Sequence, residues 1–299
     1  MPPQDRPMRF EILTDEPLQV HAGEPLASFY QLSPFVWREG GLFHVMMRAV
    51  PRAEDPAEKI ARIYHGTSRD GLLFHMDEGP AITPGPALED LDGCEDPTAA
   101  VRDDTTYVYY TGWNQAQRRG SLMLSAGRDA RHLQKRGVAL HSEPGLDNPK
   151  EAEIAIAADG TWRLFFEYAA NDASRIGIAR SPRVDGPWDV ADPPFERRDT
   201  GWDCWHLSTG PAVTIDGTPV MFYNGATKEA KWRVGWIRFD PCYEHVLERC
   251  DAPLIMPPHP KVDETDIAFA ASAVTENDHI SIYYSVADQY MRRTIVRRA

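Results

Sequence analysis

Cysteine is scarce and scattered in this sequence. Cys94, Cys204, Cys242 and Cys250 stand apart with no CxxC pair, so neither a disulfide scaffold nor a thiolate metal site is expected. Positive charge is also short. Lys and Arg number 32 against 45 Asp and Glu, a net charge of -13, which argues against nucleic acid as a partner and fits a neutral substrate at least as well as a charged one. No apolar run reaches the length of a membrane span. The opening MPPQDRPMRFEIL lacks the apolar core of a signal peptide. A reducing, cytoplasmic location is the expectation, although a secreted chain with its signal removed would read the same. Helical periodicity is nearly missing, and only DPAEKIARIYHG suggests a single turn. What remains is an ordinary soluble composition, 42 % hydrophobic and 26 % charged over 299 residues, enough to bury a sizeable core.

What is there repeats. VWREGGLFHVMMRA, AVRDDTTYVYYTG, AIAADGTWRLFFEYA, VTIDGTPVMFYNGA and VTENDHISIYYSVA each pair a short apolar strand with an acidic or Gly-bearing turn and an aromatic, β-branched return. Arg48, Thr111, Glu167, Asn224 and Ser285 end the five return strands at intervals of 63, 56, 57 and 61 residues. Further strand pairs lie between them, as in ARIYHGTSRDGLLFH and SLMLSAGRDARHLQ. About four antiparallel strands per repeat is the content of a propeller blade. The expected fold is therefore all-β, a five-bladed β-propeller, with residues 1–299 forming a single domain. A pair of sandwiches or a solenoid is the rival. The last repeat ends early at RRTIVRRA, so MRFEIL is expected to supply its outer strand and close the ring, removing exposed sheet edges.

Blade geometry brings the start of the first strand and the end of the second to one mouth. Asp96, in GCEDPTAAVRDDTTYVYYTG, starts the first strand of the second blade. Arg48, Glu167, Asn224 and Asp288 reach the same rim from second strands, Glu151 and Glu153 from a first strand, and His206 from the approach to the fourth blade. Strand alternation lets only one of Glu95 and Asp96 face the axis and puts Glu151 and Glu153 on one face. Trp113, Trp205 and Tyr290 are candidate sugar platforms, with core packing as the alternative. Plainer readings exist for each: Asp96 before Pro97 as a turn former, Arg48 as a counter-ion, Glu167 as a surface residue, Asp288 as an Asx turn, His206 as a core histidine. Acids, an Arg, amides and aromatics at one mouth suit a small carbohydrate substrate. Crowded acids leave one of them protonated for the leaving oxygen of a glycoside.

With these residues placed, the chain resembles glycoside hydrolase family 130, the β-mannoside phosphorylases and related β-mannosidases on five-bladed propellers. GCEDPTAAVRDDTTYVYYTG is similar to that family's Gly-x-Glu-Asp-Pro-Arg strand and Tyr-rich return, STGPAVTIDGTPVMFYNGA to its Gly-x-Gly-Pro-Pro-Pro-Ile strand, FAASAVTENDHISIYYSVAD to its final strand pair, and HVMMRAV to the end of its first blade. The resemblance implies Asp96 as general acid, Arg48 and Asp288 holding the sugar, and Ser33 assisting.

The departures matter. Thr98 stands where an Arg usually follows Glu-Asp-Pro, Glu167-Tyr168 where a His-Arg pair is common, Asn224 where a His is common, and His206 in place of a Lys. Phosphate must be paired when desolvated, and Glu167 would repel it. An inverting hydrolase is therefore expected, with Asp96 as acid and Glu167 as base, Glu153 or Glu151 being the next choices. No cofactor is expected. The alternative is a phosphorylase with inorganic phosphate as co-substrate, held by Lys150, His206 and Arg233. A furanosidase, suggested by KEAEIAIAADGTWRLFFEY, and a non-catalytic sugar-binding propeller are further readings. No membrane or nucleic-acid partner is expected, and a homo-oligomer is left open.

Overall fold

The computed structural model describes residues 7–258 and 265–299. Among them there is no α-helix, only three-residue 3-10 turns. One of these, Pro56–Glu58, is the turn expected in DPAEKIARIYHG.

The strands run in chain order around a propeller-like arrangement of twisted sheets. β1 (Phe10–Pro17) and β2 (Gln19–His21) precede the first full sheet, formed by β3 (Tyr30–Glu39), β4 (Leu42–Val50), β5 (Arg62–Ser68) and β6 (Leu73–Ile82), with β2 parallel to β6 outside it. The second sheet is β7 (Gly93–Arg102), β8 (Thr105–Asn114), β9 (Arg119–Gly127) and β10 (Leu133–Leu140). The third is β11 (Asp147–Ile156), β12 (Trp162–Ala170), β13 (Ala173–Ser181) and β14 (Asp189–Ala191).

The fourth stretch is divided. β15 (His206–Ser208) pairs with β18 (Asn224–Ala226) and β19 (Trp232–Val234), while β16 (Ala212–Ile215), β17 (Thr218–Met221), β20 (Ile237–Phe239) and β21 (Val246–Arg249) form a second ladder. The break falls at Thr209-Gly210-Pro211, where Pro cannot donate to a ladder. The chains stay in contact there, because Phe222 N–H donates to Pro211 O at 2.8 Å. A Cβ on Gly210 would lie 1.9 Å from the Phe222 carbonyl oxygen, so only glycine fits. The last sheet is β22 (Ala268–Glu276), β23 (His279–Val286), β24 (Tyr290–Arg298) and, on its outside, β1. β1 runs antiparallel to β24 from Phe10↔Arg298 to Pro17↔Arg292, which is the outer strand expected from MRFEIL.

Second strands are buried on both faces and so read as continuous apolar runs rather than alternating ones. β23 is buried over Ile280–Val286. The reason is that the core lies between sheets. Val45 and Met47 meet Tyr283 and Val274, Met46 and Ile63 meet Val108 and Tyr110, Tyr109 and Leu122 meet Leu164 and Phe166, and Phe165 joins Tyr223 and Tyr284 in the largest cluster. The clusters link the first sheet to the second, onward through the fourth stretch to the last sheet, and back to the first.

A polar device recurs in this core. Tyr110, Tyr223 and Tyr284 each donate a phenol hydrogen bond to an aspartate, Asp90 (2.8 Å), Asp203 (2.6 Å) and Asp15 (2.8 Å). Each aspartate is paired with a cation: Lys135, Arg249 and Arg292 respectively. A buried tyrosine hydroxyl needs an acceptor, and an ionised aspartate there needs a counter-ion.

Candidate active site

Three inner strands carry the same local distortion. Pairing slips between Leu32 and Phe35 on β3, between Glu95 and Thr98 on β7, and between Lys150 and Glu153 on β11. Within each slip one non-glycine residue has left-handed backbone: Ser33 (φ 51°), Asp96 (φ 48°) and Glu151 (φ 48°). A bulge re-aims a side chain, and left-handed backbone in non-glycine residues concentrates at functional sites. Here all three side chains line one cavity of about 180 Å³. Its wall also holds Arg48, Lys150, Glu167, Ser174, Trp232, Phe269, Ser285 and Asp288.

Asp96 is the hub of the polar contacts. Ser33 Oγ donates to its Oδ1 at 2.6 Å, and Arg48 Nη1 lies 3.5 Å from the same oxygen. Arg48 Nη2 holds Glu95 Oε1 at 2.8 Å. Burial pushes the Asp96 carboxyl up, but Arg48, the Ser33 hydroxyl and Lys150 outweigh it and hold the group below the usual carboxylate range. Glu151 behaves oppositely. Burial, then the Asp96 charge beside it, drives its carboxyl well above the ordinary value, and it hydrogen-bonds to Asp96. Crowding thus pushes Glu151 towards its protonated form while Asp96 is held towards its ionised form. Glu95 is also pushed up by burial, against the pull of Arg48.

On the far wall, Lys150 Nζ lies 3.2 Å from Glu167 Oε1, and Ser174 Oγ donates to that oxygen at 2.7 Å. Glu167 chiefly, with Glu151 and Asp96, raises the Lys150 ammonium pKa, so it stays charged. His206 accepts the Ser174 backbone N–H on Nδ1 at 3.1 Å, and burial lowers its pKa. Its ring lies 5.5 Å from that of Trp232, which meets Phe269 edge-on at 5.2 Å.

Several expected site residues lie elsewhere. Glu153 is buried deeper, beside a void of about 10 Å³, where its Oε1 accepts Ala212 N–H at 2.8 Å. Burial lifts its carboxyl to about 8. The bulge at Glu151 puts the two glutamates at different depths on the axis. Asn224 is fully buried and clamps backbone: its amide donates to Thr209 O and Ala270 O and accepts from Ala270 N–H at 2.7 Å. Trp113 donates to Gln115, and Trp205 donates to Asp172 O beneath Lys228. Tyr290 is 46 % exposed. None of these three rings lines the cavity. Arg233 is tied to Asp266 at 2.8 Å and is likewise absent from the wall.

Sequence reasoning missed Trp232, Phe269, Ser174 and Ser285. The signal for Trp232 and Ser174 was available, since both begin third strands (β19 and β13), at the same rim where second strands end. Phe269 reads as core because it precedes a run of alanines. Among the described residues no three His, Cys, Asp or Glu side chains group as for a metal ion, and no helix is long and apolar enough to cross a membrane.

No protein-family model matches the chain. It is similar to a 1,2-β-oligomannan phosphorylase of Thermoanaerobacter sp. (strain X514), 25% identical over 84% of each chain. It is also similar to a β-1,2-mannobiose phosphorylase of the same organism, 23% identical over 94% of each. Its fold matches that of the β-1,2-mannobiose phosphorylase from Listeria innocua in complex with β-1,2-mannobiose, with a TM-score of 0.79, 19% identity and 97% of each chain covered. It also matches a structure from work on how the GH130 family of mannoside phosphorylases contains glycoside hydrolases that target β-1,2 mannosidic linkages in Candida mannan, with a TM-score of 0.77, 19% identity, and 99% of this chain and 95% of that one covered.

Proposed function

We propose that this chain, a relative of the glycoside hydrolase family 130 mannoside phosphorylases, cleaves β-mannosides and transfers the sugar to water with inversion. The fold is read as five blades, the divided fourth stretch counting as one blade broken at Gly210-Pro211. Such a count matches the five sequence repeats.

The observation that carries hydrolysis is the charge on the cavity wall. Four carboxyl groups, Asp96, Glu151, Glu167 and Asp288, stand there against two cations, Arg48 and Lys150. Both cations are already ion-paired to carboxylates. A phosphate dianion would have to displace those partners and sit beside Glu167, at a large cost in a desolvated site. Water carries no such penalty.

In this reading Asp96 and Glu151 act as a pair that holds one proton. Asp96 delivers it to the leaving oxygen as the C1–O bond breaks, the proton on Glu151 passing to Asp96 along the hydrogen bond between them. Glu167, ion-paired with Lys150, takes a proton from water as the water oxygen bonds to C1 from the opposite face. Arg48, Asp288 and Ser33 hold the sugar ring, and Trp232 and Phe269 present apolar surface to its C–H face. A cavity of about 180 Å³ is small for a ligand site, which supports a single bound sugar ring and attack at a chain end.

Phosphorolysis is the second reading, favoured by the names of the two Thermoanaerobacter relatives. Incubation with β-1,2-mannobiose, with and without inorganic phosphate, separates the two. Hydrolysis releases mannose at the same rate in both. Mannose 1-phosphate formed only when phosphate is added would overturn the proposal.

A further inference from the structure

Glu167 is gripped on one oxygen from two sides. Lys150 on β11 is its direct cross-strand partner, with Nζ 3.2 Å from Oε1. On β13 the residue opposite Glu167 is Ile176. Ser174 is thus the diagonal neighbour on the same face, and its Oγ donates to the same Oε1 at 2.7 Å. The diagonal is fixed by the shortest kind of hairpin. Ala170 pairs with Ala173 across Asn171 and Asp172, whose φ values of 52° and 56° are both left-handed. Two left-handed central residues make a type I′ turn, whose twist matches the flanking strands and sets their register. The Ser174 backbone N–H is committed too, to His206 Nδ1 at 3.1 Å, so the proton of neutral His206 sits on Nε2.

We infer that Ser174 is a positioning residue for the water-activating carboxylate: with Lys150 it occupies Oε1 of Glu167 and leaves Oε2 to take the proton of the attacking water. The inference rests on the reading of Glu167 as base. Lys150 alone does not fix the carboxylate, because its side chain is 39% exposed and an ammonium on a flexible stem is a poor orienter. A serine hydroxyl held by a strand and a tight turn is a rigid one. Atoms balance without Ser174 reacting. Water gives one proton to Glu167 Oε2 and its oxygen to C1, the leaving oxygen takes a proton from the Asp96–Glu151 pair, and the serine keeps its own.

The test compares Ser174→Ala, Ser174→Thr, Glu167→Gln and the Ser174→Ala/Glu167→Gln double variant on β-1,2-mannobiose, with thermal melts to establish folding. Ser174→Ala is expected to lower kcat about tenfold to a hundredfold, a fraction of what a general base supplies, with KM little changed. Ser174→Thr, which keeps the hydroxyl, restores most of the rate. The double variant loses no more than Glu167→Gln alone, because both changes act through one group. Full kcat in a folded Ser174→Ala variant, no rescue by threonine, or losses that multiply in the double variant would each overturn the inference while leaving Glu167 as base. Full turnover in Glu167→Gln would instead overturn the assignment of the base, and this inference with it.

Discussion

The Ser33 hydroxyl donates to Asp96 at 2.6 Å although the two residues lie 63 positions apart and on different sheets. Both reach the contact from left-handed backbone. Non-glycine residues pay about 1–2 kcal/mol for that conformation, so two such residues meeting in one bond mark a place where the fold accepts strain to aim polar groups. Asparagine adopts left-handed backbone readily, which makes Asp96→Asn a clean test of the chemistry. It is expected to fold normally and to lose on the order of 10²–10⁴ in turnover, the usual worth of a general acid. Turnover at the parental rate would remove Asp96 from the mechanism.

Glu153 predicts a pH effect on stability rather than on catalysis. Its carboxyl is pushed from 4.5 up to about 8 in the folded protein. Between those values the folded state keeps a proton that the unfolded state has lost. The stability tied to this group is therefore fully present below about pH 4.5 and falls as pH rises towards 8. Glu153→Gln, which retains an acceptor for Ala212 N–H, should be more stable than the parent at pH 8 by about 2–4 kcal/mol, and the gap should close towards pH 5. Urea denaturation at the two pH values measures it. A gap independent of pH would show that the residue does not bury a proton, and a large fall in turnover would return it to the list of bases.

The repeating strand pairs and the outer strand of the last sheet were legible because repeats and turn chemistry are written in local residue types. AVRDDTTYVYYTG reads as a hairpin wherever it lies, and MRFEIL reads as a strand without a partner. The rim position of Asp96, Arg48, Glu167 and Asp288 followed from the same spacing. What did not follow was depth and direction. Strict alternation places Glu151 and Glu153 together, but the slip between Lys150 and Glu153 separates them, and no residue type announces a bulge. Asn224 stands at the expected rim position yet turns its amide onto the Thr209 and Ala270 backbone, because the break at Gly210-Pro211 frees the Thr209 carbonyl and Ala270 lies on β22, the edge strand of the last sheet.

That clamp makes Asn224 a stability residue. Asn224→Ala would leave the Thr209 and Ala270 carbonyls and the Ala270 N–H short of a partner in a fully buried place. The expected loss is about 2–4 kcal/mol, read as a fall in Tm of about 5–10 °C for a chain of this size. KM for β-1,2-mannobiose should hold. A raised KM with an unchanged Tm would restore Asn224 as a sugar ligand.

Closure by β1 is tested at Asp15. This residue lies on the outermost strand and reaches inward. It accepts the hydroxyl of Tyr284, which is 1 % exposed, at 2.8 Å and pairs with Arg292 at 2.9 Å. Asp15→Ala removes the acceptor for a buried phenol and loosens the strand that covers the β24 edge. The cost is expected at about 1–3 kcal/mol, with more aggregation on heating because a freed edge pairs with other chains. Glu11 is the control. It lies on the same strand and makes an exposed ion pair with Arg297, the two side chains being 57% and 47% exposed, and such pairs contribute little. Thermal melts with light scattering should therefore separate Asp15→Ala from Glu11→Ala. Equal, small effects of the two changes would mean that β1 decorates the last sheet without closing it.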